Sequence, residues 1–312
     1  MSVLGSLNMD LVVQVNECPR AGETLAGTHF NMLPGGKGAN QAVAASRSGA
    51  KTYMLGCVGN DTFGQVLINS LESSNVNTTG IHRLHDISTG IASILLEASG
   101  ENRIVIVPGA NGCVSRDYLT STWQTIQHSD LVLLQHEIPL ETVHACIEKC
   151  NQAGIPVLLN PAPIYPIPEH LLQAIDILVM NETEASALAG IQVDGVETAR
   201  EAAGRLRSDG CPMVIITLGK AGAYLLENSG EIVQPAFDVN AVDTTAAGDT
   251  FVGAFAACQL EGRSAQESLA FASAAAAISV TRLGAQASIP ERDEVLGFLH
   301  SRGCQFPSIG GK

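Results

Sequence analysis

The stretch DTTAAGDT (residues 243–250) sets two carboxylates around a run of small residues, and the apolar FVGAFAACQL follows at once. A helix starting here leaves its first-turn N–H groups unpaired. Its dipole adds partial positive charge at the same end, so the stretch is a candidate anion site. The dipole alone contributes only about 0.3–2 kcal/mol. Several donors aimed at developing charge in a dry site contribute more. Gly248 lacks the Cβ that would block a phosphate. Asp249 would repel that phosphate, a cost that fits a group whose task is to take a proton from an attacking hydroxyl. General bases of this kind are worth about 10²–10⁴ in rate. An ordinary helix cap is the other reading, but a cap needs neither Gly248 nor the second carboxylate, Asp243.

Two glycine-rich turns accompany this stretch. LPGGKGANQAVAA (33–45) opens an Ala-rich helix. It is not a Walker A loop, because Gly38 follows Lys37 and the spacing differs, and it is not GxGxxG, because Gln41 stands at the third glycine. Gly35, Gly36 and Gly38 permit close backbone approach, and Lys37 and Asn40 offer donors suited to hydroxyls. TLGKAG (217–222) likewise brings backbone near a neighbour. For the first turn, a helix start packed on a strand competes with a ligand site. For the second, a plain β-turn competes with a nucleotide phosphate site.

These residues need a frame, and the apolar pattern supplies one. DLVLLQ (130–135), PVLLN (156–160), DILVMN (176–181) and MVIITLG (213–219) are continuous β-rich runs separated by helical stretches. Such runs mark parallel strands covered on both faces, so the spacing predicts an α/β sandwich of three layers with a mostly parallel central sheet. Ligands of open α/β sheets bind beyond the carboxyl ends of the strands. Those ends here carry His136 and Glu137, Asn160, Asn181, and Thr217 with Gly219. In the N-terminal third, LVVQV (11–15), TLAGTHF (24–30), TGIASILLE (89–97) and NRIVIV (102–107) predict partly exposed antiparallel strands, with turns at PRAG (19–22) and ASGE (98–101). They predict a small β-sheet flap spanning about 11–31 and 89–107. SAQE (264–267) is a capping box before LAFASAAAAISV, Gly284 is expected to end that helix, and SIGGK is expected to fray. The whole of 1–312 reads as one domain with this lid.

Bulk composition narrows the partners. With 17 basic and 31 acidic side chains the net charge is −14, and no basic stripe suggests a nucleic acid. No apolar run reaches the roughly 18 residues of a membrane span, and MSVLGSLNMD lacks the features of a signal peptide, so a cytoplasmic protein is expected. None of the eight cysteines forms CxxC, and only Cys146 and Cys150 share a helical spacing. Reduced thiols are expected rather than disulfides or zinc.

GGKGANQAVAA and DTTAAGDTFVGA resemble the two signatures of the PfkB (ribokinase-like) carbohydrate kinases, and NETEA (181–185) resembles that family's N-x-x-E motif. The resemblance spans essentially the whole chain. GSLNMD (5–10), NPAP (160–163), ITLG (216–219) and AAAAISVTRLGAQASIP (274–290) are similar to its ribose-specific members. It implies ATP-dependent phosphorylation of D-ribose at O5 in a ribokinase-like fold whose β-lid pairs two subunits into a homodimer. On the matching positions, Asn8 and Asp10 would bond sugar hydroxyls together with Gly36, Lys37, Gly38 and Asn40, and Glu137 would face the sugar. Asp249 would be the base, and the N–H groups of Ala246, Ala247 and Gly248 would form the anion hole. Asn181, Thr217, Gly219 and Gly222 would hold ATP, and Glu184 would position Mg²⁺ through water. A K⁺ activator would sit among Asp243, Thr245, Ser279, Arg282, Gly284 and Ser288, several acting through carbonyls. Ser273 stands near the adenine position where relatives often carry His or Asn, and Val252 replaces a frequent Asn. Deoxyribokinase, fructokinase and nucleoside kinase remain alternatives, as does a sugar-binding regulator without catalysis. Asn8 favours a sugar bearing a 2-hydroxyl, because an unpaired buried amide penalises its absence.

Overall fold

Apolar runs on the central strands are continuous because successive side chains enter two different cores. Leu133, Leu158, Ile177, Val179 and Ile215 pack into one, while Leu134, Leu159, Leu178, Met180 and Ile216 pack into the other. A period-2 strand between two helical layers must be apolar at every position.

The structure is a computed structural model that describes residues 1–99, 101–304 and 306. The SIGGK tail and Gly100, at the centre of the turn expected over 98–101, lie outside the described residues. In chain order the elements are β1 (Ser2–Leu4), β2 (Asn8–Val15), β3 (His29–Gly35), α1 (Lys37–Arg47), β4 (Tyr53–Gly59), α2 (Thr62–Ser73), β5 (Asn77–Leu84), β6 (Gly90–Glu97), β7 (Asn102–Val107), α3 (Arg116–Ile126), β8 (Val132–Gln135), α4 (Leu140–Ala153), β9 (Val157–Asn160), α5 (Glu169–Leu172), β10 (Ile177–Asn181), α6 (Glu182–Ala189), α7 (Val196–Ser208), β11 (Met213–Thr217), β12 (Ala223–Glu227), β13 (Gly230–Gln234), α8 (Ala247–Leu260), α9 (Ala265–Ser279) and α10 (Arg292–Ser301). The main sheet has the order β13-β12-β11-β10-β9-β8-β1-β4-β5 and is parallel from β11 to β5. In this sheet only the pairings of β12, with β11 and with β13, are antiparallel among the described strands.

The four runs expected to be parallel strands are β8 to β11. The N-terminal third, however, supplies three further main-sheet strands, β1, β4 and β5, besides the lid. Val3 and Leu4 are fully buried because β1 lies between β4 and β8, and three residues are too few to show a period.

The second sheet has the order β3-β2-β6-β7. Two of its pairings are antiparallel as expected, but β2 and β6 run parallel, with Asn8 opposite Gly90. Both strands leave the main body in the same direction, which the exposure pattern alone could not reveal. Strand β3 starts at His29, whereas the expected start was Thr24; residues 24–28 form an exposed loop. The capping box before α9 is present, with Ser264 Oγ accepting from Glu267 N–H and Glu267 Oε2 accepting from Ser264 N–H. Helix α9 ends at Ser279 with Val280 still right-handed, so Gly284 (φ 90°) lies in the following turn rather than at the helix end.

Candidate active site

Strand register brings the polar carboxyl ends together. Gln135 pairs with Asn160, and Asn181 with Thr217, along one edge of the main sheet. Helix α8 starts over that edge. A cleft of about 240 Å³ opens there, lined among others by Lys37, Asn181, Glu184, Thr217, Gly248 and Asp249.

The start of α8 is unusual. Its cap is Ala246, a non-glycine residue at φ 58°, and no side chain caps the helix. Left-handed backbone at alanine stores strain, which clusters at functional sites. The first helical bond runs from Thr250 N–H to the Ala246 carbonyl at 2.8 Å, while Ala247 N–H donates to Thr244 O at 3.2 Å. The N–H groups of Ala246, Gly248 and Asp249 have no acceptor among the described residues. Of the three donors expected for the anion hole, Ala247 is therefore committed within the loop, while Asp249 N–H joins the other two. A Cβ on Gly248 would meet nothing within 4 Å, so the space before the helix is open.

Asp249 is held from α1. Asn40 Nδ2 donates to its Oδ2 at 3.0 Å and Gln41 Nε2 to its Oδ1 at 2.9 Å. The aspartate is 7% exposed and Asn40 5%, and Asn40 Oδ1 is buried with no partner. An orphaned acceptor beside a carboxylate fits a ligand hydroxyl that donates to it. Lys37 N–H and the Ser6 hydroxyl both donate to Glu137 Oε2, so Glu137 faces the same corner. Asn8 Oδ1 accepts from Asn111 Nδ2 at 2.8 Å. Asn111 is itself fixed by Leu7 N–H and Leu7 O, which turns the NH₂ of Asn8 away from Asn111.

Four carboxylates act on one ammonium here. Asp249 chiefly holds the Lys37 pKa above its ordinary value, against burial and with help from Glu137, Glu184 and Asp10. Burial pushes the Asp10 carboxyl up to about 7, and the charges of Glu137 and Asp249 add to this. Glu184 is raised by burial, partly countered by the Asn181 N–H and by Lys37. Crowded carboxylates beside one lysine mark a site built to move protons or to receive a polyol.

The glycines of GGKGAN divide from expectation. Added Cβ atoms would strike the chain itself: the Asp10 carboxylate at 2.2 Å from Gly35, Asn8 N at 2.7 Å from Gly36, and Ser6 N at 2.6 Å from Gly38. These glycines let the start of α1 pack against residues 5–10, which brings Lys37 within electrostatic reach of Asp10. At Gly222 a Cβ would lie 2.0 Å from Gln234 O, as a tight turn demands, whereas Gly219 faces open space. Ser273, on α9, is not among the residues lining the cleft.

Asn181 caps α6 in a reciprocal box. Its Oδ1 accepts from Glu184 N–H at 2.8 Å, and Glu184 Oε2 accepts from Asn181 N–H at 3.0 Å. Glu184 Oε1 has no partner among the described residues, which leaves a carboxylate oxygen for a hydrated divalent ion. Beside the start of α8, Asp243 takes Thr245 N–H and hydroxyl on Oδ1 and Gly284 N–H on Oδ2. Burial raises its pKa, but these three bonds outweigh burial and hold it below the ordinary value. Asp243 has no ion-pair partner among the described residues, and Arg282 is paired with Glu294 instead. The Ser279 carbonyl accepts Arg282 N–H at 3.1 Å, and the Ser288 hydroxyl donates to Ala285 O. No group of three His, Cys, Asp or Glu side chains is placed to hold a metal among the described residues. One ionised carboxylate among loop carbonyls suits a weakly hydrated monovalent cation rather than a transition metal.

Residues 1–292 match the family described as pfkB family carbohydrate kinase. The chain belongs to that family. A ribokinase of Haemophilus influenzae is 42% identical over 299 residues, covering 96% of this chain and 98% of that protein. A deoxyribokinase of Salmonella typhi is 39% identical, covering 96% and 98%. Among solved structures, the Arabidopsis thaliana ribokinase complexed with ribose and ATP is 36% identical with a TM-score of 0.89, covering 96% and 97%. The ribokinase of Thermotoga maritima is 41% identical with a TM-score of 0.88, covering 96% and 98%.

In this carbohydrate kinase, residues that sequence reasoning overlooked are central to the site. Gln41 entered only as a missing glycine, yet it touches Asp249. Asn111, which fixes Asn8, lies in the turn after β7. Neither carries a signal in the sequence, since their roles arise from the packing of α1 on α8 and of β2 beside β6.

Proposed function

We propose that the chain transfers the γ-phosphoryl group of ATP to O5 of D-ribose. The observation that carries this is the start of α8. An ionisable carboxylate, Asp249, stands beside open N–H donors and the empty space before Gly248, at the end of a cleft that also holds Lys37. Asn8, Asp10, Asn40 and Glu137 gather hydroxyl-binding groups on the sugar side. Asn181, Thr217 and Gly219 lie toward the nucleotide.

The sequence of events follows from charge. Asn8, Asp10, Lys37 and Asn40 bind the sugar hydroxyls and aim O5 at the cleft. Asp249 accepts the O5 proton as O5 bonds to the γ-phosphorus and the bond to the β-phosphate oxygen breaks. ADP leaves with the electron pair of that bond. Lys37 and the N–H groups of Ala246, Gly248 and Asp249 balance the charge that develops on the transferred oxygens. Glu184 would hold a hydrated Mg²⁺, which would supply positive charge to the phosphates. A K⁺ at Asp243 and the neighbouring carbonyls would order the loop that carries Ala246.

The lid supports a homodimer. Ile104, Val105, Ile106 and Val107 of β7, with Phe30 and Met32 of β3, are exposed apolar side chains on edge strands. Such edges are normally covered. No helix among the described residues is long and apolar enough to cross a membrane, and a cytoplasmic location is part of this reading.

An ADP-release assay over D-ribose, 2-deoxyribose, fructose and nucleosides tests it, with the phosphorylated position read by NMR. Ribose 5-phosphate is the expected product. Strong turnover of another substrate with none on ribose would refute the substrate assignment. Asn8→Ala is expected to lower kcat/KM for ribose about 10–100-fold while sparing 2-deoxyribose.

A further inference from the structure

Of the two side chains that reach Asp249 from α1, Gln41 is wholly out of solvent. Both hydrogens of its Nε2 are committed, one to Asp249 Oδ1 at 2.9 Å and one to Asn160 Oδ1 at 3.0 Å. Its Oε1 accepts from Gln135 Nε2 at 2.6 Å. Nothing remains to contact a substrate. Asn40, by contrast, keeps an unpaired oxygen that a sugar hydroxyl can use.

The orientation of these amides is dictated from the sheet outward. Asn160 Nδ2 donates to the Val179 carbonyl at 2.9 Å. A carbonyl only accepts, so Asn160 must turn Oδ1 toward Gln41. Gln41 must then present its NH₂ to Asn160 and Asp249, and its oxygen must receive the NH₂ of Gln135. Three strands and one helix thus fix a single N–H on a single carboxylate oxygen.

We propose that Gln41 is a positioning residue for Asp249, fixing the rotation of its carboxylate and donating to its charged form. This rests on the reading of Asp249 as the base. The need is set by the surroundings. The charge of Asp249 reaches Asp10 on β2, Glu184 on α6 and the Lys37 ammonium on α1, so two further carboxyl groups lie within electrostatic reach of it. Like charges favour protonation, whereas an N–H donor to the charged form opposes it.

The test is Gln41→Met, close in length and without a donor, assayed with the best accepted sugar from about pH 5.5 to 9. The sugar KM is expected to stay within about twofold, because Gln41 touches no sugar. The acid limb of kcat is expected to move up by about one pH unit, giving about tenfold more loss below the limb than on the plateau. Placed in Asp249→Asn, the same change is expected to alter the residual rate less than about twofold. An unshifted limb, with a loss equal at every pH, would overturn the inference, as would a full additional loss in the Asp249→Asn background. Should Gln41→Met fail to fold, Gln135→Met frees the Gln41 amide to rotate. It is expected to shift the limb in the same direction by less, and no shift would count against the proposal. Undiminished turnover in Asp249→Asn overturns the base reading itself. An inactive Asp249→Asn beside an unshifted Gln41→Met overturns only the role of Gln41.

Discussion

Two glycines five residues apart on α8 should respond oppositely to the same substitution. A Cβ on Gly253 would lie 2.4 Å from the Gln41 carbonyl, 2.6 Å from Ala44 Cβ and 2.8 Å from Ala45 N. Relieving these overlaps requires α8 to withdraw from α1 by about 1 Å, since α1 backbone cannot yield as a flexible side chain would. The Asn40 and Gln41 bonds to Asp249, at 3.0 and 2.9 Å, span that same interface. Lengthened by about 1 Å they cease to be hydrogen bonds. Gly253→Ala is therefore expected to cost about 1–3 kcal/mol through overpacking, only partly offset by the roughly 0.5–1 kcal/mol that alanine gains over glycine in a helix. Its kcat should fall on the order of 10²-fold, the usual consequence of a 1 Å displacement of reacting groups. A Cβ on Gly248 meets nothing within 4 Å. Gly248→Ala should keep full stability or gain up to about 1 kcal/mol, yet lose turnover because the methyl enters the phosphoryl space. Guanidinium unfolding and ADP release on both variants decide the matter. Native turnover in Gly253→Ala would refute the role given to α1–α8 packing, and native turnover in Gly248→Ala would refute the phosphoryl position.

Because the folded-state pKa of Asp10 is raised to about 7, the folded chain holds a proton between about pH 4 and 7 that the unfolded chain has released. Stability from this group is thus present below about pH 4 and declines as pH rises through that window. Asp10→Asn should therefore exceed the wild type in unfolding free energy at pH 8, by at most about 4 kcal/mol, with no excess at pH 4. Replacing K⁺ by Na⁺ should depress turnover, and Asp243→Ala should abolish the difference; equal rates in the two salts for the unsubstituted enzyme would contradict the cation assignment. Ile104→Asp combined with Ile106→Asp should sediment as a monomer where the parent chain sediments as a dimer, and a monomeric parent would end the lid-pairing proposal.

The parallel strands β8 to β11 were legible because a strand covered on both faces is apolar throughout, and their polar ends marked the edge where the cleft opens. Strand β1 was not legible, since SVL is too short to show a period and its burial comes from neighbours far along the chain. The parallel pairing of β2 with β6 was hidden for a related reason: exposure along a strand records which face meets solvent, not which way its partner runs. In the site, Asp249 could be read because glycine and acid at a helix start conflict with plain capping. Gly35, Gly36 and Gly38 could be located but not interpreted, because sequence cannot say whether a close approach is to a ligand or to the chain's own Asp10, Asn8 and Ser6. Gln41 and Asn111 were invisible, as their amides acquire meaning only from partners brought by tertiary packing.

The most direct measurement is turnover and ribose affinity of Asp249→Asn, with Asp249→Ala beside it because an asparagine would set one NH₂ against the donors of Asn40 or Gln41. Loss of kcat by about 10²–10⁴, with ribose binding by calorimetry held within a few-fold, is the expected result. A kcat within tenfold of the parent in both variants would mean that Asp249 does not take the proton from the sugar.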